Sequence, residues 1–186
     1  KGNDFFNKTD LYLYDMIKKE SKKIITGVKG QPSWINDSTI IYSKISLPDK
    51  NRSKFFDLYK YNINSEEEER LTYGKRLFSP SYNKKLNRIV AINQYDGSSN
   101  VMISELSDSL DFYPITEYNN GFQIFNVDWL ASEILFDAVS SHGRNIYTLS
   151  LNGNIKKALQ EDYEDERDPY FTQISEGILV WSEDNN

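Results

Sequence analysis

The sequence contains no cysteine and a single histidine among its 186 residues. Without thiols there is no disulfide, no thiolate nucleophile and no cysteine-ligated zinc, although many extracytoplasmic chains share the absence, so it fixes no compartment. Basic residues are also in deficit: 22 Lys and Arg stand against 28 Asp and Glu, for a net charge of −6 and a pI near 4.9. A general binder of phosphate backbones needs a basic face, so no nucleic-acid partner is expected. No apolar run reaches the roughly 18 residues of a membrane span, and none is expected in this chain. The start, Lys1-Gly2-Asn3-Asp4, has no signal-peptide core, and the lack of an initiator Met suggests a mature, excised or trimmed segment. Runs of Ala, Leu, Glu and Lys at helical spacing are missing as well.

What is abundant is aromatic: 14% of the chain, with thirteen Tyr, ten Phe and three Trp, the residues favoured on pleated, half-buried surfaces. The class is therefore all-β. A strand anchor recurs as Asp10-Leu11-Tyr12, Asp57-Leu58-Tyr59, Asn100-Val101-Met102 and Asn145-Ile146-Tyr147, spaced by about 45 residues, the length of a four-stranded propeller blade. After each anchor comes a polar turn, Asn152-Gly153-Asn154 being the strongest hairpin signal. A short outer strand then ends in Ile25-Thr26, Leu71-Thr72, Ile115-Thr116 or the divergent Leu159-Gln160. A Gly-containing or charged loop is expected next, leading to Pro32-Ser33-Trp34, Pro80-Ser81-Tyr82, Val127-Asp128-Trp129 and Pro169-Tyr170-Phe171. The aromatic that closes each triplet is expected to plug between adjacent blades. The strands that follow, such as Arg88-Ile89-Val90-Ala91-Ile92, are near-continuous apolar runs, which fits strands buried on both faces.

Counting four strands per unit predicts complete blades over 31–72, 78–116 and 123–160, with half blades over 10–26 and 169–183. The two halves could close a four-bladed ring, but four is the low end of known blade counts. An arc of a larger ring is the expected arrangement.

At these residues the chain resembles the TolB-like, WD-like β-propeller repeat, whose pattern is a D-[IL]-Y strand, a hairpin, an L-T strand end and then P-x-W-S-P-D-G. Asp57-Leu58-Tyr59, Leu71-Thr72 and Ser79-Pro80-Ser81-Tyr82 carry the best match. The S-P-D-G turn is replaced by Ile35-Asn36-Asp37-Ser38, Asn83-Lys84-Lys85-Leu86 and Leu130-Ala131-Ser132-Glu133, which keep turn-forming residues. The resemblance implies a propeller, commonly six-bladed, often periplasmic or otherwise extracytoplasmic, that serves as a scaffold for protein partners. Similar repeats also form the gating propeller of prolyl-oligopeptidase-type serine peptidases, whose catalytic domain is a separate α/β-hydrolase.

No catalytic constellation accompanies the repeat. His142, the one histidine, lies in Ser140-Ser141-His142-Gly143-Arg144 without a G-x-S-x-G nucleophile turn, and is most simply a solvated loop residue. The acidic run 161–168 lacks the spacing of an EF-hand loop, and reads first as a solvated loop. No cofactor, no metal site and no enzymatic activity are expected of this chain. In an antiparallel meander the loops between second and third strands and those between units emerge on one face. That face collects 46–54, 73–78, 94–99, 118–122, 140–144 and 161–168, loops richer in Tyr, Phe, Arg and Asn than the hairpin tips. Aromatic and Arg side chains are favoured interface anchors, so Tyr73, Arg76, Tyr118, Phe122, His142 and Arg144 are the candidate contacts for a protein partner.

Overall fold

The computed structural model describes residues 9–140, 143–158, 166–171 and 179–183, and among them every regular element is a strand. The chain opens with β1 (Thr9–Asp15), β2 (Glu20–Asn36), β3 (Thr39–Ile45), β4 (Phe56–Asn62) and β5 (Glu68–Arg70), which form a five-stranded antiparallel sheet in chain order. A second sheet contains β6 (Leu77–Asn83), β7 (Arg88–Tyr95), β8 (Ser98–Glu105) and β9 (Tyr113–Pro114). The third holds β10 (Gln123–Leu130), β11 (Glu133–Ser140), β12 (Gly143–Leu149) and β13 (Ile155–Lys157), and β14 (Glu166–Phe171) pairs with β15 (Leu179–Glu183). Each unit is thus an antiparallel meander. The sheets are open, and they stack on one another as partial propellers do.

The period-two patterning explains the stacking. Along β7, Ile89 and Ala91 face the first sheet and pack with Ile41, Leu58 and Leu77, whereas Val90 and Ile92 face the third and pack with Ile124, Trp129 and Phe136. Burying both faces of one strand in this way contributes about 1.5–3 kcal/mol per large apolar side chain.

The innermost strands are stitched together by polar contacts at the blade interval. The Tyr82 amide donates to Ser33 Oγ at 3.0 Å, Ser81 Oγ to Asp128 Oδ1 at 2.6 Å, and Trp129 Nε1 to the Ser81 carbonyl at 3.1 Å. Asn83 Nδ2 reaches the Ala131 carbonyl at 2.6 Å. Ser33, Ser81 and Asp128, the middle residues of the first three triplets, therefore join neighbouring sheets. Where the S-P-D-G turn is replaced, Asn36 Oδ1 accepts the Ser38 amide at 2.9 Å, and Asn83 Oδ1 accepts the Lys85 amide at 3.0 Å. These are side-chain-capped turns.

Two expectations need correction. The Gly-containing loop expected after Ile25-Thr26 is absent: β2 runs unbroken from Glu20 to Asn36, pairing with β1 through its first half and with β3 through its second. Gly27 and Gly30 take φ of 83° and 72°, which bends the strand at a register shift without ending it. The second concerns Trp34. Trp129 is 5% exposed and Tyr82 packs between the first two sheets, but Trp34 is 49% exposed. Its neighbour Ile35 packs toward the second sheet, so alternation points Trp34 the other way, where no preceding sheet stands among the described residues. The side chains of Phe171 and Trp181 lie outside the described part of the molecule.

Candidate partner-binding loop face

The loop face is held by a buried polar knot that uses the recurring anchor. Asp57, at the start of β4, is 0% exposed and accepts from Thr72 Oγ1 at 3.0 Å, the Gly74 amide at 2.9 Å, the Lys75 amide at 3.0 Å and Arg70 Nη2 at 2.6 Å. Thr72 Oγ1 in turn accepts the Leu58 amide at 2.9 Å, which takes the ladder position and ends β5 at Arg70. The next sheet repeats the device with Asn100. Its Oδ1 accepts Thr116 Oγ1 at 3.0 Å and the Tyr118 amide at 2.6 Å, its Nδ2 donates to the Tyr118 carbonyl at 3.0 Å, and Thr116 Oγ1 accepts the Val101 amide at 2.9 Å. Anchor and Thr together thus pin the interblade loops 72–75 and 116–118.

On this pinned base the predicted contact residues fall into different environments. Tyr73 is 72% exposed, its ring face covered by the Arg70 guanidinium at 4.5 Å. Arg76, at φ 56°, lies between two rings, 4.6 Å from Phe55 and 5.1 Å from Tyr95. Tyr118 and Phe122 stack on each other at 3.9 Å and lean on the core between the second and third sheets. Burial, with the nearby Tyr147 adding to it, pushes the Tyr118 hydroxyl above the usual tyrosine range. Arg144 is turned inward: its Nε donates to the wholly buried Asp137 at 2.6 Å, and its guanidinium lies 4.2 Å over Phe125. His142 lies outside the described residues.

The structure brings Arg76 together with residues not singled out from the sequence. A groove of about 380 Å³ opens between the first and second sheets, lined by Lys54, Phe55, Phe56, Arg76, Phe78, Gln94, Tyr95, Asp96 and Gly97. Tyr95, 57% exposed, stands at its rim. The interblade loop before β6 is held against the end of β7 here, because the Arg76 carbonyl accepts the Gln94 amide at 3.3 Å and the Lys75 carbonyl accepts Asn93 Nδ2 at 2.6 Å. Tyr95 falls in the loop-face range 94–99 and Phe55 just past 46–54, but neither was a candidate contact, because their approach to Arg76 depends on how the first two sheets stack.

Among the described residues no group of three or more His, Cys, Asp or Glu is placed to hold a metal ion. No helix among them is long and apolar enough to cross a membrane.

This architecture, stacked four-stranded antiparallel meanders with longer loops gathered on one face, is that of a β-propeller of partial extent. The sequence matches no protein-family model and no curated protein. Among solved structures, TolB from Acinetobacter baumannii is similar with a TM-score of 0.68 and 17% identity, over 86% of this chain and 39% of that one. One component of a nidogen/laminin complex is similar with a TM-score of 0.69 and 12% identity, over 95% of this chain and 66% of that one. A prolyl endopeptidase is similar with a TM-score of 0.61 and 11% identity, over 94% of this chain and 28% of that one. At these identities the likeness is one of fold, and the fold is TolB-like. The chain spans 39% of the length of the TolB it resembles.

Proposed function

We propose that this chain is a non-catalytic propeller that presents its interblade loop face to a protein partner, as a scaffold in an extracytoplasmic, periplasm-like setting. The observation that carries this reading is the pairing of a rigid base with exposed anchors. Asp57 and Asn100 fix the loop backbones, while Tyr73 and Tyr95 project outward beside the half-buried Arg76. Pre-ordered aromatic and Arg side chains bind with little ordering cost, which is what a docking face needs. The likeness to TolB and to a component of the nidogen/laminin complex supports the same reading.

A second reading is supported by the likeness to prolyl endopeptidase and to an acylaminoacyl peptidase from Pyrococcus horikoshii: a propeller that gates a serine peptidase whose α/β-hydrolase domain lies elsewhere in the gene. A G-x-S-x-G turn in the adjoining coding sequence would favour it.

The test is a photo-crosslinking amino acid placed at Tyr73 or Tyr95 and, as controls, at Asn64 and Lys84 on the opposite hairpin tips, in the native host. Adducts to one protein from the loop-face positions alone are expected. Adducts from the hairpin tips alone, or none from Tyr73 and Tyr95, would refute the assignment of the face.

A further inference from the structure

The groove between the first two sheets is lined by two cations, Arg76 and Lys54, that the protein itself leaves unneutralised. Lys29, which does not itself line the groove, lies with its Nζ 4.6 Å from the Phe56 ring centroid and 4.1 Å from that of Phe78, two rings of the groove wall. Among the described residues it has no hydrogen-bond or ion-pair partner, and burial lowers its pKa. Arg76 likewise has no carboxylate partner among them, its guanidinium being held only by Phe55 and Tyr95. Lys54 adds a second positive charge to the lining. In a chain of net charge −6, where other lysines and arginines such as Lys22, Lys44, Lys60 and Arg70 are paired with acids, this is a local inversion.

Ring contacts orient these cations without consuming their donors. A guanidinium lying on an aromatic face keeps its N–H edge free for a planar, two-oxygen acceptor. A half-desolvated cation lacking an acceptor is a standing cost that an incoming anion removes. Asp96 on the rim adds one negative charge, which disfavours a doubly charged phosphate more than a singly charged carboxylate. The aromatic walls of Phe55, Phe56, Phe78 and Tyr95 suit an apolar group beside that carboxylate, and about 380 Å³ admits a side chain or the end of a peptide, not a folded domain.

We infer that this groove binds a carboxylate carried next to an aromatic residue on an extended peptide, with Arg76 and Lys54, the two cations of its lining, as donors. This rests on the loop face being the partner-binding face and names the chemistry of what docks there. The carboxylate can belong to an Asp or Glu side chain or to the free C-terminus of the peptide.

The test titrates the 186-residue protein, labelled with nitrogen-15, with three probes and inorganic phosphate. The probes are acetyl-Trp-Gly-Asp-amide, acetyl-Trp-Gly-Gly with a free C-terminus, and acetyl-Trp-Gly-Asn-amide. Saturable amide shifts at Arg76 and at Gln94 to Gly97 are expected with the first or the second probe, the stronger of the two identifying the source of the carboxylate. Affinity for the Asn probe should be weaker by roughly tenfold or more, the loss of a charge-assisted pair. Arg76→Gln should cause a similar loss, and Lys54→Gln a smaller one. Because Lys54 is exposed, its variant keeps the test valid should Arg76→Gln unfold, which amide-shift dispersion would reveal. Equal binding of the Asn probe, tighter binding of phosphate, or shifts confined to other sheets would overturn the inference. Crosslinking from Tyr73 that persists in a protein whose groove ignores carboxylates would refute the groove's role and leave the loop-face reading intact.

Discussion

Asp57 is wholly buried, so the effect of replacing it is set by the groups left behind. Asp57→Ala strands the Thr72 hydroxyl, two loop amides and the Arg70 guanidinium, and should cost about 3–5 kcal/mol in urea unfolding. Asp57→Asn keeps one acceptor oxygen but turns an NH2 toward the Gly74 amide and Arg70, so an intermediate loss of about 1–3 kcal/mol is expected. Equal stability of all three proteins would mean that the knot does not bear on folding. Lys29 supplies a second test at this scale. Burial holds its folded pKa below the unfolded 10.5, so between those two values the unfolded chain binds more protons and stability rises with pH. The destabilising part is complete below the folded pKa and gone above 10.5. The stability of the parent relative to Lys29→Met should therefore improve as pH is raised toward 10.5, and a pH-independent difference would contradict the burial. The residues of the knot were legible in the sequence as recurring D-L-Y and L-T pairs, but their bonding was not. Periodicity states which face a side chain takes, whereas the Asp57–Thr72 contact spans 15 residues and depends on where the sheet edge stops.

Strand elements show the same division. Along β7 the run Ile89-Val90-Ala91-Ile92 predicted a strand buried on both faces, because only stacked sheets can accept apolar groups on each side, and the structure puts successive residues into the two cores. Along β2 the sequence misled: Gly27 and Gly30 read as a loop, yet they bend one continuous strand that belongs to two hairpins. Gly30 also permits close stacking, since a Cβ there would stand 2.0 Å from Ser79 Oγ and 3.0 Å from Ser79 Cα. Gly30→Ala combines that overlap with a left-handed backbone and should cost about 2–4 kcal/mol. Gly97→Ala, at φ 77° with nothing within 4 Å, meets only the backbone penalty of about 1 kcal/mol. Urea midpoints for the two variants should differ accordingly, and similar midpoints would show that the β2–β6 approach tolerates a methyl group. The same limit of sequence reading explains the groove. Arg76 was identifiable as an Arg on an interblade loop, but Phe55, just before β4, and Tyr95, at the end of β7, converge on it only through the stacking of the first two sheets.

For the whole molecule, the position that closes each recurring triplet reports on the sheet that precedes it. Trp129 reaches back into the core shared with the second sheet, and Tyr82 into that shared with the first. Trp34 occupies the equivalent place on the first sheet and is half exposed, alongside the exposed Tyr12 and Tyr14 of β1. An aromatic at this point is matched to a neighbouring sheet, which is what an arc of a larger ring would supply. Acrylamide quenching can separate the two tryptophans in a Trp181→Phe background. Trp34 should be readily quenched and Trp129 protected, so that Trp34→Phe removes the accessible emission and Trp129→Phe the protected emission. In a longer protein that carries a preceding blade, Trp34 should become as protected as Trp129. If it stays accessible there, its exposed face is not a blade-stacking face, and the arc arrangement loses its physical support.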